Sequence, residues 1–235
     1  MISSCTNEVD ILKVDEVNLT KEETFTRDTD PTSCFDQLVI PTQYVCDTDT
    51  WSGNITLADY PGCTFQVSSG FNKCTDPFTG VNFLYIEEIN LVGHDCQAYN
   101  DAVALAELAG TLDAFSAEFD GELIQATTYM IGSQNLGPFG SVIVNYQTAS
   151  CNNYCYVPVD KNGNFSPLIY TRTNCGTACC LIISDVYYSY SCECVMILTS
   201  NETAIGITCE NFTPDCGPRS LYSTDCVFVC DYLVN

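Results

Sequence analysis

Thiols are the most distinctive reactive groups in this chain, with seventeen cysteines among 235 residues against a single histidine and seven basic side chains. Thiols at this density can bridge one another, bind a metal as thiolates, or act as nucleophiles. Structural zinc sites are built from ligand pairs, typically two residues apart, with histidine or further cysteine closing a tetrahedron. The spacings here are C-x3-C (Cys151, Cys155), C-x3-C-C (Cys175, Cys179, Cys180) and C-x-C (Cys192, Cys194), and no C-x2-C occurs. The expectation is structural disulfides, with no metal and no cofactor. Cytosolic thiols are kept reduced, so a framework of this kind implies an oxidising, extracytoplasmic setting.

The cysteines fall into two groups. Cys34, Cys46, Cys63, Cys74 and Cys96 form the first; Cys151, Cys155, Cys175, Cys179, Cys180, Cys192, Cys194, Cys209, Cys216, Cys226 and Cys230 form the second. Both groups are odd once Cys5 is set aside, which predicts at least one bridge between them. Cys63 and Cys74 flank an expected hairpin and are predicted to pair, and Cys96 is a candidate for the crossing bridge. Connectivity otherwise stays open.

Other catalytic constellations are weak. His94, in Gly93-His94-Asp95-Cys96, could be a general base oriented by Asp95, but a loop or helix-entry role suits it better. No G-x-S-x-G elbow is present to carry a serine nucleophile. The pairs Glu87-Glu88 and Glu118/Asp120 read as solvated faces in so acidic a chain. Asp160-Lys161-Asn162-Gly163-Asn164 partly matches a calcium loop, yet its glycine comes early and the distal glutamate is missing. A hairpin turn at Asn162-Gly163 explains it better. No enzymatic activity is expected. With thirty acidic against seven basic residues, the formal charge of -23 disfavours nucleic acid and anionic membrane surfaces as partners.

The elements that must position these residues are mostly short and β-rich. Residues 1–33 read as an acidic, flexible spacer. Strands are predicted at 37–45, 63–67 and 82–91, punctuated by Pro41, Gly53, Pro61-Gly62, Gly70 and Pro77. From about 97 to 132 the period changes: Leu105, Leu108, Leu112, Phe115, Phe119, Leu123, Ala126 and Met130 recur every three or four residues. This predicts one long amphipathic helix, or two with a break near Gly110 or Gly121. Further strands are predicted at 141–146, 154–159, 165–171, 180–190, 194–198, 204–209 and 227–234. The fold class expected is α+β, mainly antiparallel β with a covering helix and disulfide-rich, in one domain over 34–235 (β over 34–95, helix over 96–135, cysteine-rich β over 136–235).

Ile2-Ser3-Ser4-Cys5 resembles the lipobox of bacterial lipoproteins, and the acidic residues Glu8, Asp10, Asp15 and Glu16 behind it resemble the surface-export signal of Bacteroidetes lipoproteins. The resemblance implies that Cys5 is acylated, which leaves sixteen cysteines to pair. The charged and apolar regions of a leader do not precede Ile2, so the leader is expected to lie upstream of this start. Cys151-Asn152-Asn153-Tyr154-Cys155, Cys175-Gly176-Thr177-Ala178-Cys179-Cys180, Asp215-Cys216-Gly217-Pro218 and Cys226 to Cys230 are similar to a cysteine-rich pattern in secreted proteins of Bacteroidetes, Flavobacteria in particular, over about residues 34 to 235. That family has no assigned activity, so the resemblance implies compartment and architecture only.

The expected function is therefore a lipoprotein at the outer-membrane surface with a structural or binding role, touching the membrane only through its lipid. Its partner would be a protein or glycan of the envelope, met through Tyr187, Tyr188, Tyr190 and Trp51, since exposed aromatic residues mark interfaces. Half-buried strand packing is the plainer role for the tyrosines. Two alternatives stand beside it: a subunit of an extracellular filament or secretion assembly, and a secreted glycoprotein ectodomain carrying sugar at Asn18, Asn54, Asn201 or Asn211.

Overall fold

The computed structural model describes residues 40–159, 166–176, 179–203, 209 and 216–233. Strands β1 (Val45–Ile55), β2 (Phe65–Thr75) and β3 (Asn82–His94) form an antiparallel meander. Helices α1 (Gln97–Ala109) and α2 (Leu112–Gln134) follow, then β4 (Ser141–Ala149). The helices make the crossover that lets β4 pair parallel with β3 over Phe83–Ile86 and Ile143–Tyr146. Strands β7 (Cys179–Ser189) and β8 (Cys194–Thr203) complete a six-stranded sheet in the order β1-β2-β3-β4-β7-β8. A second sheet is built from β5 (Cys151–Pro158), β6 (Leu168–Asn174), β9 (Tyr222–Ser223) and β10 (Val227–Phe228), with β5 at its centre.

Alternation fixes which face of the large sheet is covered. Phe65, Val67, Ser69 and Phe71 on β2, Val142, Val144 and Tyr146 on β4, and Cys180, Ile182, Ser184 and Val186 on β7 are all buried. Helix α2 packs against this face and also against β5 and β10. The described fold is thus mostly β, with two helices and antiparallel-rich sheets.

Of the two forms expected over 97–132, one helix or two with a break, the second is found, divided at Gly110, whose φ of 68° is left-handed and whose N–H caps the carbonyls of Ala106 and Glu107. The predicted stripe fails only in α1, which buries Tyr99, Val103 and Ala106 and leaves Leu105 and Leu108 exposed; in α2 it holds, with Leu112, Phe119 and Leu123 buried and Phe115, Ala126 and Met130 packed against the core. Gly121, the other expected break, lies inside α2. A β-carbon there would collide with the carbonyl of Tyr232, in the 3-10 turn Cys230–Leu233 that crosses the helix.

Strand boundaries also moved. Of the strand expected at 37–45, residues 37–39 lie outside the described residues; Pro41 opens a turn closed by the Tyr44 N–H, and β1 runs from Val45 through Gly53. The run expected at 63–67 begins at Phe65 and extends to Thr75, and 227–234 shrinks to Val227–Phe228 before the 3-10 turn. The run 204–208 and the turn Asn162-Gly163 lie outside the described residues.

Seven bridges join described residues on both sides: Cys46–Cys74, Cys63–Cys96, Cys151–Cys209, Cys155–Cys216, Cys175–Cys226, Cys180–Cys230 and Cys192–Cys194. The density is typical of extracytoplasmic proteins. The expected Cys63–Cys74 pair is overturned because its members are not on two arms of a hairpin. They lie toward opposite ends of the extended run around β2, roughly 35 Å apart at strand rise. Cys74 instead meets its cross-strand neighbour Cys46. Cys96 pairs with Cys63, tying the start of α1 to the entry of β2, so it does not cross between the groups. Cys179 is disulfide-bonded as well; Cys5 and Cys34 lie outside the described residues. Among those residues no helix is long and apolar enough to cross a membrane.

Candidate binding surface

The register of β7 separates the predicted tyrosines. Even-numbered residues turn toward the helices, and Tyr188 shares that side but lies beyond their cover. Its ring meets Tyr190 edge-on at 5.2 Å, and Tyr190 is 86% exposed. Tyr187 points to the opposite face, half-buried, with its hydroxyl 3.8 Å from the sulfur of Met196. Trp51 sits on the far edge strand β1, four strands or roughly 19 Å from β7. Its ring lies over Gly53, where a β-carbon would overlap it, and its Nε1 donates to Gln134 Oε1 at 3.2 Å. The structure brings Tyr188 and Tyr190 together and leaves Trp51 and Tyr187 elsewhere.

Other aromatics join them. Phe139 is 71% exposed and lies within 3.8 Å of the position a β-carbon would take on Gly80. The next residue, Gly140, accepts the Tyr188 N–H at 2.7 Å, which holds Phe139 beside β7. Phe78 tips the β2–β3 turn, where its N–H donates to Asp76 at 2.8 Å and the Thr79 hydroxyl donates to the same carboxylate at 2.7 Å. These bonds hold Asp76 below the usual carboxylate range. The registers Phe83 with Ile143 and Ser141 with Tyr187 place this turn and the 135–140 loop at the same end of the sheet as Tyr188. Phe78 and Phe139 escaped the sequence reading because each is a lone aromatic in a turn. Pro77-Phe78 and Pro138-Phe139 were the available signals.

No family model, curated protein or solved structure matches this chain. What the other candidate residues can do therefore follows from geometry alone.

His94 is buried, with Nδ1 accepting the Cys96 N–H at 3.1 Å, so that Nε2 carries the proton and faces the Leu168 carbonyl at 2.9 Å. Asp95 does not orient it; its carboxylate accepts the Thr64 N–H at 2.7 Å. The imidazole thus pins the end of β3 to the start of β6. Glu87 accepts from Asn72 at 2.9 Å across the sheet surface. Glu118 is exposed, but its supposed companion Asp120 is not on a solvated face: it is 1% exposed. It accepts from Tyr154 at 3.0 Å and Tyr170 at 2.5 Å and lies 3.6 Å from Arg172.

Arg172 in turn donates to the Tyr146 hydroxyl at 2.8 Å and to the Ile89 carbonyl. Burial opposes the guanidinium's charge, and Asp120 with the surrounding phenols outweighs it, so the group stays cationic. Burial, then Asp120, pushes the phenols of Tyr154 and Tyr170 well up. The cluster is a buried network of one acidic side chain, one guanidinium and three phenols. It ties α2 to both sheets beneath a cleft of about 530 Å³, opened where β3 and β4 splay apart beyond Ile86 and Tyr146. The sulfurs of Cys151, Cys209 and Cys226 lie within 4.8 Å of one another, but all belong to bridges and offer no thiolate to a metal.

Proposed function

We propose that this protein is a lipoprotein of the bacterial cell surface, of the Bacteroidetes kind, with a structural or binding role. A lipid on Cys5 tethers it, the acidic segment up to residue 33 spaces it from the membrane, and the aromatic end of the large sheet meets a protein or glycan of the envelope. The observation that carries the reading is the gathering of Phe78, Phe139, Tyr188 and Tyr190 at one end of the sheet, with Phe78 and Tyr190 each 86% exposed. Aromatic side chains lose little rotamer freedom on contact, and for that reason they concentrate at interfaces.

Two measurements test it. Mass spectrometry of the protein from its native cells is expected to find an acylated Cys5; an unmodified chain continuing upstream of Cys5 refutes the tether. Replacing the four aromatics by serine is expected to release a soluble domain from envelope fractions that retain the wild-type domain, and equal retention refutes the contact. The reading as a filament or secretion-assembly subunit is favoured by one feature: among the described residues β1 pairs only with β2, and its residues 45–50 are exposed on both faces, an edge of the kind that assembling chains extend. Polymers in electron micrographs of the purified protein would select that reading. Asn54, exposed on the same strand, is the described sequon best placed for the glycoprotein alternative.

A further inference from the structure

We propose that the Cys192–Cys194 bridge is a thiol–disulfide exchange site that takes electrons from an external dithiol. It closes a ring through one intervening residue, whereas the six other bridges between described residues span 28 to 61 residues and join separate elements. The stabilisation a bridge gives through the unfolded chain grows with the loop it closes, so this one holds the fold least and can open without unfolding it. It also carries backbone strain. Glu193, the residue inside the ring, has φ 53°, the one positive value among described non-glycine residues. Opening the ring frees Glu193 to return to an ordinary conformation, which makes reduction more favourable here than elsewhere. Strained or exposed bridges have the more oxidising potentials.

Location agrees with chemistry. The bridge sits in the β7–β8 turn, with Glu193 exposed and both cysteines half-buried, while five of the six other described bridges contain a buried cysteine. Tyr188 and Tyr190 immediately precede it and offer an aromatic platform for whatever brings the dithiol. In the reaction, a thiolate of the incoming dithiol attacks one bridge sulfur. The Cys192–Cys194 bond breaks, its electron pair leaves on the other sulfur, and that sulfur takes a proton from water. The second thiol of the dithiol, having lost its proton, then attacks the mixed disulfide and releases the remaining cysteine, which is protonated in turn. The dithiol is oxidised to a disulfide, and the bridge is reduced to two thiols.

The test uses the full oxidised chain, equilibrated in dithiothreitol buffers of graded reduced-to-oxidised ratio, quenched by alkylation and mapped by peptide mass spectrometry. Cys192 and Cys194 are expected to be half-alkylated at a ratio at least about tenfold lower than any other pair. Glu193→Gly, which removes the cost of the left-handed backbone, is expected to raise that ratio by about tenfold. Mixed with a synthetic peptide dithiol, the wild-type protein is expected to yield oxidised peptide and thiols at 192 and 194 in equal amounts, and a C192S/C194S variant none. Opening of the bridge together with or after the others, an unchanged ratio in Glu193→Gly, or transfer by the double variant overturns the proposal.

Discussion

Consider the substitution Arg172→Met. The methionine keeps much of the buried stem but removes the guanidinium from Asp120, from the Tyr146 hydroxyl and from the Ile89 carbonyl at once. Asp120 then remains buried with only the phenols of Tyr154 and Tyr170 to solvate it. Breaking one side of a buried pair costs about 3–5 kcal/mol, because the stranded charge loses its partner and does not regain water. In a domain of this size, each kcal/mol lowers Tm by about 2–4 °C, so a fall of roughly 6–20 °C is expected. Removing both charges with D120L/R172M takes away the desolvation cost as well as the attraction, and should recover most of that loss. The assay is thermal and guanidinium unfolding followed by circular dichroism, with all bridges oxidised. A loss below about 1 kcal/mol for Arg172→Met would refute the claim that this pair is buried and mutually dependent. A double variant no better than the single one would refute the stranded charge as the cause.

Glu122, close to Asp59 and Glu118, has its carboxyl raised to about 7, by burial first and then by those neighbours. A carboxyl raised in the folded state binds its proton more tightly there than in the unfolded chain, so stability is greatest below the unfolded value and falls as pH rises through about 7. The group is half exposed, which limits the effect to about 1 kcal/mol. Glu122→Gln should abolish the decline, and parallel pH profiles of Tm in the two proteins would refute it. Gly121→Ala forces a β-carbon against the Tyr232 carbonyl and is expected to cost about 1–3 kcal/mol by guanidinium unfolding. Gly110→Ala places a side chain at φ 68° and should cost about 1 kcal/mol, read the same way. Loss of the four end aromatics to serine should lower Tm by no more than about 8 °C, since surface substitutions cost up to about 0.5 kcal/mol each, and a larger fall in differential scanning calorimetry would refute their surface role.

Periodicity made the helices, most strands and the oxidised framework legible, because those follow from local pattern and thiol chemistry. It could not see the parallel pairing of β3 with β4, which depends on how the two helices return the chain. The Cys63–Cys74 guess failed because Gly70 looks like a turn residue but is accommodated inside β2 beside a bulge. Tyr188 and Tyr190 were readable as an exposed pair; Tyr187 was not separable from them without the register, and Trp51 was drawn away by its fit over Gly53. Asp120 was hidden among twenty-nine other acidic residues, and only its partner, a lone arginine within a strand, could have drawn attention to it.

The second group of bridges has an order with a bearing on biosynthesis. Cys151, Cys155, Cys175 and Cys180 pair in sequence with Cys209, Cys216, Cys226 and Cys230, so the last part of the chain is laced onto the strands in the order it is made. Cys46–Cys74 and Cys63–Cys96 can close as soon as residue 96 has been delivered. The four lacing bridges cannot begin before residue 209 and cannot finish before 230. In the interval four reactive thiols wait on the growing β layer, each able to couple with the wrong neighbour. Oxidative maturation is thus expected to run in two stages, with the dependence on a disulfide isomerase concentrated in the second.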